Sequence, residues 1–426
     1  MSRLYALLSG YCLWILGFST SLAVLVAFSR PYFADKFSDA ATTFEELPIP
    51  VRFPSKGPND PPVLAYSISG THGDSRKMLR LAKAIYHPRN QYLLQLDAGS
   101  SDYERRELAL SVQSERVFKA FGNVNVVGRG SALSPMGPSA VASTLRAAAL
   151  LLKISADWDW FVTLSASDYP LMPQDDLLHA FSFLPRDLNF IDYTNKTGWK
   201  ERQNIDEIIV DPNLYYKKNS PILYASETRA KRPDAFEIFG GSPWVILSRA
   251  FVEHCVQGWD NFPRKLLMYL TNVLFPLELY FQTVLCNSPE FQNTTVDNNL
   301  RYTIWDQKTV GKALELKMSN YDEMVSSEAV FARPFREGDP VLSEIDKNVL
   351  NRPPDGVVPG EWCLDQGMNA SVQDRSVIDH QNYSNCSSLG DINSVKPRSF
   401  GVKLGNFFSK LLVERKLRPN QCHNSV

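Results

Sequence analysis

A glutamate in apolar company is the first residue here that could do chemistry. Glu278 sits in Phe275-Pro276-Leu277-Glu278-Leu279-Tyr280-Phe281. Such neighbours strip water from a carboxylate and raise its pKa, which suits a general base. An acid just after a proline also fits a helix start, satisfied by backbone donors. Asp97 ends the run Tyr92–Leu96, and Asp168 closes Ser165-Ala166-Ser167-Asp168. Asp157-Trp158-Asp159 has the spacing of a metal-binding acid pair, but it precedes the apolar run Trp160–Leu164. That position reads as a turn and strand start. Arg333 and Arg336 carry guanidinium groups that match phosphate, or they are solvated surface charges. Trp199, Lys200 and Arg202, and the run Arg229–Arg232, mix cations and an aromatic in a way that suits a ligand carrying a carboxylate. Surface charge is the default for such runs. Trp244 can stack on a sugar face or fill a core. Phosphate-loop and dinucleotide glycine patterns are missing, as are Cys/His spacings for zinc.

Alternating strands and helices must position these groups. Val63–Gly70 reads as a buried strand, followed by the loop Thr71-His72-Gly73-Asp74, with Asp74 as N-cap. Met78, Leu81, Ala82 and Ile85 mark a helix. Tyr92–Asp97 is a second strand, Tyr103–Phe121 a charged helix and Val124–Val127 a third strand. Ser139–Ile154 is a helix and Trp160–Leu164 a fourth strand. This order implies parallel βαβ units, an α/β sheet whose ligands bind at the strands' carboxyl ends. Ser69, Gly70, Thr71, Asp97 and Asp168 fall at those ends and are the nucleotide-site candidates. Glu237–Leu247 reads as a glycine-flanked approach to a strand, and Phe251–Cys255 begins a helix. After Asn348 a Pro-, Ser- and Asn-rich stretch is expected to wrap the surface, with Phe400–Val413 a late helix.

The chain has 426 residues and a net charge of -1, with no Lys/Arg block, so nucleic-acid binding has no electrostatic footprint. Residues 4–29 carry no charge and are long enough to span a bilayer as a signal-anchor. This gives a cytosolic tail over 1–3, the anchor over 4–29, a proline-rich stem over 30–60 and a luminal domain over 61–426. Glycosylation sequons begin at Asn195, Asn293, Asn369, Asn382 and Asn385, which argues for a luminal location. Cys255, Cys286, Cys363, Cys386 and Cys422 follow the apolar run. Their odd number leaves at least one thiol free or paired between chains.

Several runs together resemble the core-2/I-branching glycosyltransferase family, and its plant branch in particular. They are Tyr92–Ala98, Asp159–Leu171 with its Ser-Ala-Ser-Asp-Tyr-Pro-Leu segment, Gly241–Trp244, Gly258–Asn261, Pro276–Glu278 with Tyr280-Phe281, Phe331–Arg333 and Trp362-Cys363. The resemblance extends from about residue 61 to Cys422. It implies a GT-A-like α/β nucleotide-sugar transferase fold with an N-terminal transmembrane helix. It also implies a UDP-sugar donor, a glycan acceptor on glycoprotein and inversion at the anomeric carbon. A single-pass type II setting in the Golgi membrane and oligomers with other Golgi transferases are further expectations. No resident cofactor or metal is expected, since the family holds the leaving diphosphate with basic side chains. Plant relatives include glucuronosyltransferases acting on arabinogalactan side chains, and animal relatives add β-1,6-linked N-acetylglucosamine. Glu278 matches the family's Pro-x-Glu base. One departure stands out: Pro334 occupies the place of the family's lysine in Phe331-Ala332-Arg333-Pro334-Phe335. Arg333 or Arg336 could take over the diphosphate, or the chain could be a catalytically weakened member acting as a Golgi partner protein. A glycosidase would instead need two facing carboxylates.

Overall fold

The computed structural model describes residues 53–57, 60–194, 205–229, 233–258, 260–306, 312–364, 386, 388–413 and 422. The apolar segment 4–29, Trp199, Lys200, Arg202, residues 230–232 and every sequon asparagine but Asn293 lie outside them. Among the described residues no helix is long and apolar enough to cross a membrane.

A seven-stranded sheet organises the structure. Its strands are β1 (Leu64–Gly70), β2 (Gln91–Leu96), β3 (Val124–Val126), β4 (Trp160–Ser165), β5 (Asn189–Phe190), β6 (Ile246–Ser248) and β7 (Thr295–Val296), in the spatial order β7-β5-β6-β4-β1-β2-β3. β4, β1, β2 and β3 are mutually parallel, and β6 runs antiparallel to β4. The parallel strands are apolar on both faces because both faces are covered. Side chains alternate accordingly: Leu64, Tyr66 and Ile68 join one core, whereas Val63 and Ala65 join the other.

The first core is roofed by α1 (Ser75–Ala84), α2 (Asp102–Ser114), α4 (Gln174–Ser182) and α9 (Ser399–Val413). The second lies under α3 (Pro138–Ile154), α5 (Arg249–Gln257), α6 (Phe262–Leu270) and α7 (Tyr280–Asn287). α8 spans Pro340–Ile345. Disulfides join Cys286 to Cys422 and Cys363 to Cys386, leaving Cys255 as a buried free thiol among the described residues.

Two expectations need correction, and a third is met only in part. The helix predicted over Tyr103–Phe121 is two, α2 and Arg116–Phe121, because Glu115 adopts an extended backbone between them. Asp74 is the N-cap of α1, but its side chain makes no cap bond; the carboxylate turns back to accept from the Thr71 amide and hydroxyl. The stretch after Asn348 does not merely wrap the surface. Val357, Val358, Trp362 and Ile392 enter the first core, and Trp362 meets Tyr86 edge-on.

Candidate active site

The carboxyl ends of β1, β2 and β4 form the floor of the site. Register places Ser69 beside Ser165 and Gly70 beside Leu96, so the candidate loops converge there. Ser69 donates its hydroxyl to the Leu164 carbonyl, and Thr71 is exposed. Asp157 and Asp159 sit at the opposite edge. Asp157 pairs with Lys56, and Asp159 accepts from the Val63 amide at 2.8 Å. Ser165 is the last of the six residues of β4 that follow Asp159, roughly 20 Å away at strand rise. The pair is a strand start, as its place in the sequence implies.

Asp168 is 2% exposed. It accepts from the Ser165 amide at 2.8 Å, from the Ser165 hydroxyl at 3.1 Å and from Arg333 Nε at 2.9 Å. A small sheet brings these partners together. Phe331-Ala332 pairs with Tyr169-Pro170 on one side and Arg301-Tyr302 on the other. Arg333 then lies over the Trp244 ring, 4.1 Å from its centroid, and Arg301 approaches the same ring at 5.9 Å. Trp244 thus backs two cations by cation–π attraction. Arg301 donates to the carbonyls of Thr163 and Asn299, and its Nε has no hydrogen-bond partner among the described residues. Burial pushes the Arg301 guanidinium down to about 10, opposed by the Asp168 charge, so it stays cationic at neutral pH. Little in the sequence singles out Arg301. Its signal was weak, an arginine two residues beyond the polar run Asp297–Asn299. Arg336 goes elsewhere: it is exposed and lines a cavity on the far side of Asp168, described below.

Both oxygens of the Asp97 carboxylate have protein donors. One carboxylate oxygen accepts from the Ser100 amide and hydroxyl, and the other from Asn219 Nδ2 at 2.7 Å. Asn219 belongs to a loop anchored by Asp211, whose carboxylate accepts from the Ser139 amide and hydroxyl at the start of α3. An acid there also complements the helix dipole. The space beside Ser69, Gly70 and Asp97 is only about 20 Å³, room for one water. A larger cavity of about 490 Å³ shares the Arg129, Ser131 and Arg146 wall and adds Arg105 and Lys217. That volume suits a small ligand, and the cations favour an anion.

Glu278 ends the turn Pro276–Glu278 just before α7 and is half-buried, while Leu279, Tyr280 and Phe281 are buried. The preceding Phe275 takes a left-handed backbone, φ 50°, and its amide donates to the Met136 carbonyl at 2.8 Å, beside the start of α3. Behind Glu278, Gln282 of α7 donates to the Ser242 carbonyl at 2.8 Å, and the Ser242 hydroxyl accepts from the Trp244 amide. The glutamate segment is therefore braced between the α3 start and the strip that carries Trp244. Arg229 packs over the Tyr269 ring at 4.6 Å and is a packing residue.

The model of the family described as Core-2/I-Branching enzyme matches residues 64–325. The chain is 44% identical to beta-glucuronosyltransferase GlcAT14A of Arabidopsis thaliana over 362 residues, covering 85% of this chain and 78% of that protein. It is 52% identical to beta-glucuronosyltransferase GlcAT14C of the same plant over 296 residues, 70% of this chain and 76% of that protein. Human xylosyltransferase 1 is 32% identical over 251 residues, 58% of this chain and 24% of that protein.

Proposed function

Because the chain belongs to the core-2/I-branching enzyme family and is a glycosyltransferase, we propose that it transfers β-linked glucuronic acid from UDP-glucuronate to galactan side chains of arabinogalactan proteins, as a type II enzyme of the Golgi membrane. The names of its plant relatives support the donor. The observation that carries the mechanism is the convergence of Arg333 and Arg301 on Trp244 beside Asp168.

In this reading the acceptor hydroxyl oxygen attacks the anomeric carbon as the bond to the β-phosphate oxygen breaks. Glu278 takes the hydroxyl proton. Arg333 and Arg301 neutralise the charge that builds on the diphosphate, with Asp168 and Trp244 fixing the Arg333 guanidinium in place before reaction. The pair supplies the charge that Pro334 lacks, which favours an active enzyme over a silent relative. Metal is dispensable because the cations are built in. Trp199, Lys200 and Arg202 remain candidates for the sugar carboxylate.

The test is a donor screen with the purified protein. UDP-glucuronate, UDP-N-acetylglucosamine, UDP-galactose and UDP-xylose are each offered with a β-galactan oligosaccharide, with and without EDTA. Transfer from UDP-glucuronate that survives EDTA supports the proposal. Transfer from another donor overturns the glucuronosyl reading, and loss of activity in EDTA overturns the metal-free one.

A further inference from the structure

A cavity of about 930 Å³ opens beyond Asp168, between α1, the segment Phe335–Gly338 and the turn after α8. Apart from Asp168, which forms part of its wall, the proposed mechanism makes no use of it. Its lining is dominated by cations, and the ion pairs divide them into two groups. One group is committed to structure. Asp346 accepts from Arg80 at 2.7 Å, from Arg352 at 3.0 Å and from the Tyr169 hydroxyl. Lys77 pairs with Asp74, and Lys83 with Glu115. The other group is Arg76, Arg336 and Lys347, exposed on three separate elements and without an ion pair among the described residues. Three such cations facing one cavity, backed by a fixed network, make an anion-binding wall.

The rest of the lining narrows the ligand class. Glu337 and Asp355 offer acceptors, while Leu79, Phe335 and Pro354 offer apolar surface. A bare polyphosphate makes no use of hydroxyl acceptors or apolar surface. A sugar chain bearing a carboxylate needs all three kinds of group: cations for the carboxylate, acceptors for hydroxyls and apolar patches for the ring faces. The volume accommodates a short oligosaccharide.

The geometry points to this cavity as a second glycan site, binding a chain that already carries a uronate. This rests on the glucuronosyl reading above, under which such a chain is the enzyme's own product. The cavity meets the active site at one dipeptide. Asp168 holds Arg333, and Tyr169 bonds Asp346 in the cavity wall. Uronate chains retained here would keep a partly decorated glycan beside the transfer site.

The experiment titrates the purified protein with four ligands: a glucuronate-tipped β-galactan oligosaccharide, its methyl ester, the neutral oligosaccharide and inorganic sulfate. The Arg76→Glu/Lys347→Glu double variant is measured beside the wild type. We expect the glucuronate-tipped chain to bind at least about tenfold tighter than the ester or the neutral chain. The double variant should lose that preference and keep transfer to a short neutral acceptor within about twofold of wild type. Equal binding of the charged and neutral chains, a preference that survives in the double variant, or sulfate binding as tightly as the uronate chain would overturn the inference. A protein that transfers glucuronate but shows no preference sinks this site alone. A protein that shows the preference but transfers another sugar sinks the glucuronosyl reading.

Discussion

Replacing Arg333 by alanine separates its two tasks. The side chain is 17% exposed and its partner Asp168 0%. Removing the arginine leaves a buried carboxylate without its cation, and breaking a buried pair in this way costs about 3–5 kcal/mol. The lower end applies here, since the Ser165 amide and hydroxyl still donate to Asp168. The cation–π contact with Trp244 adds roughly 1 kcal/mol. Catalysis loses a preorganised donor to the leaving diphosphate, about 10²–10³ in kcat. Arg301 remains, so the loss stops there. The Asp168→Asn/Arg333→Ala double variant removes the stranded charge, so it should regain most of the stability and none of the rate. Denaturant unfolding and initial rates with UDP-glucuronate measure the two effects. A single variant within about threefold of the wild-type rate would refute the diphosphate role. A double variant no more stable than the single one would refute the buried-pair reasoning.

Other outcomes follow from particular contacts. A Cβ at Gly130 would lie 2.6 Å from the Asp97 carbonyl, which is backbone and cannot swing aside; Gly130→Ala should displace the end of β2 and raise the KM for the donor, and an unchanged KM would disprove the contact's importance. Burial pushes the Asp175 carboxyl up to about 6. A raised folded pKa adds stability below the unfolded value near 3.9 and loses it as pH rises through about 6. Wild type should therefore lose up to about 3 kcal/mol relative to Asp175→Asn between pH 4 and 7, read from paired denaturation curves. Trp362→Ala should cost about 3–5 kcal/mol, because the ring is buried against Tyr86; a smaller loss would show that the late segment is not part of the core.

The parallel half of the fold was legible because its strands are buried on both faces and its helices carry the apolar period, as β1 and α1 show. Asp168 and Glu278 were legible from short runs of unusual composition. Asn219 and Asp211 were not. Their task is to close a loop over Asp97, and that contact spans 122 residues. Arg301 was hidden for a related reason, since a pairing of two-residue strands positions it and leaves no periodicity. The break at Glu115 escaped because no glycine or proline marks it. Arg333 and Arg336 looked equivalent three residues apart, and only the small sheet sends them to different sites.

Glu278→Gln tests the central claim most directly. The amide keeps the size and half-buried setting of the carboxylate but cannot accept the acceptor's proton. We predict UDP affinity within about twofold of wild type, by calorimetry, and turnover lower by about 10²–10⁴. Turnover near the wild-type rate, with UDP bound as before, would contradict a proton acceptor at this position.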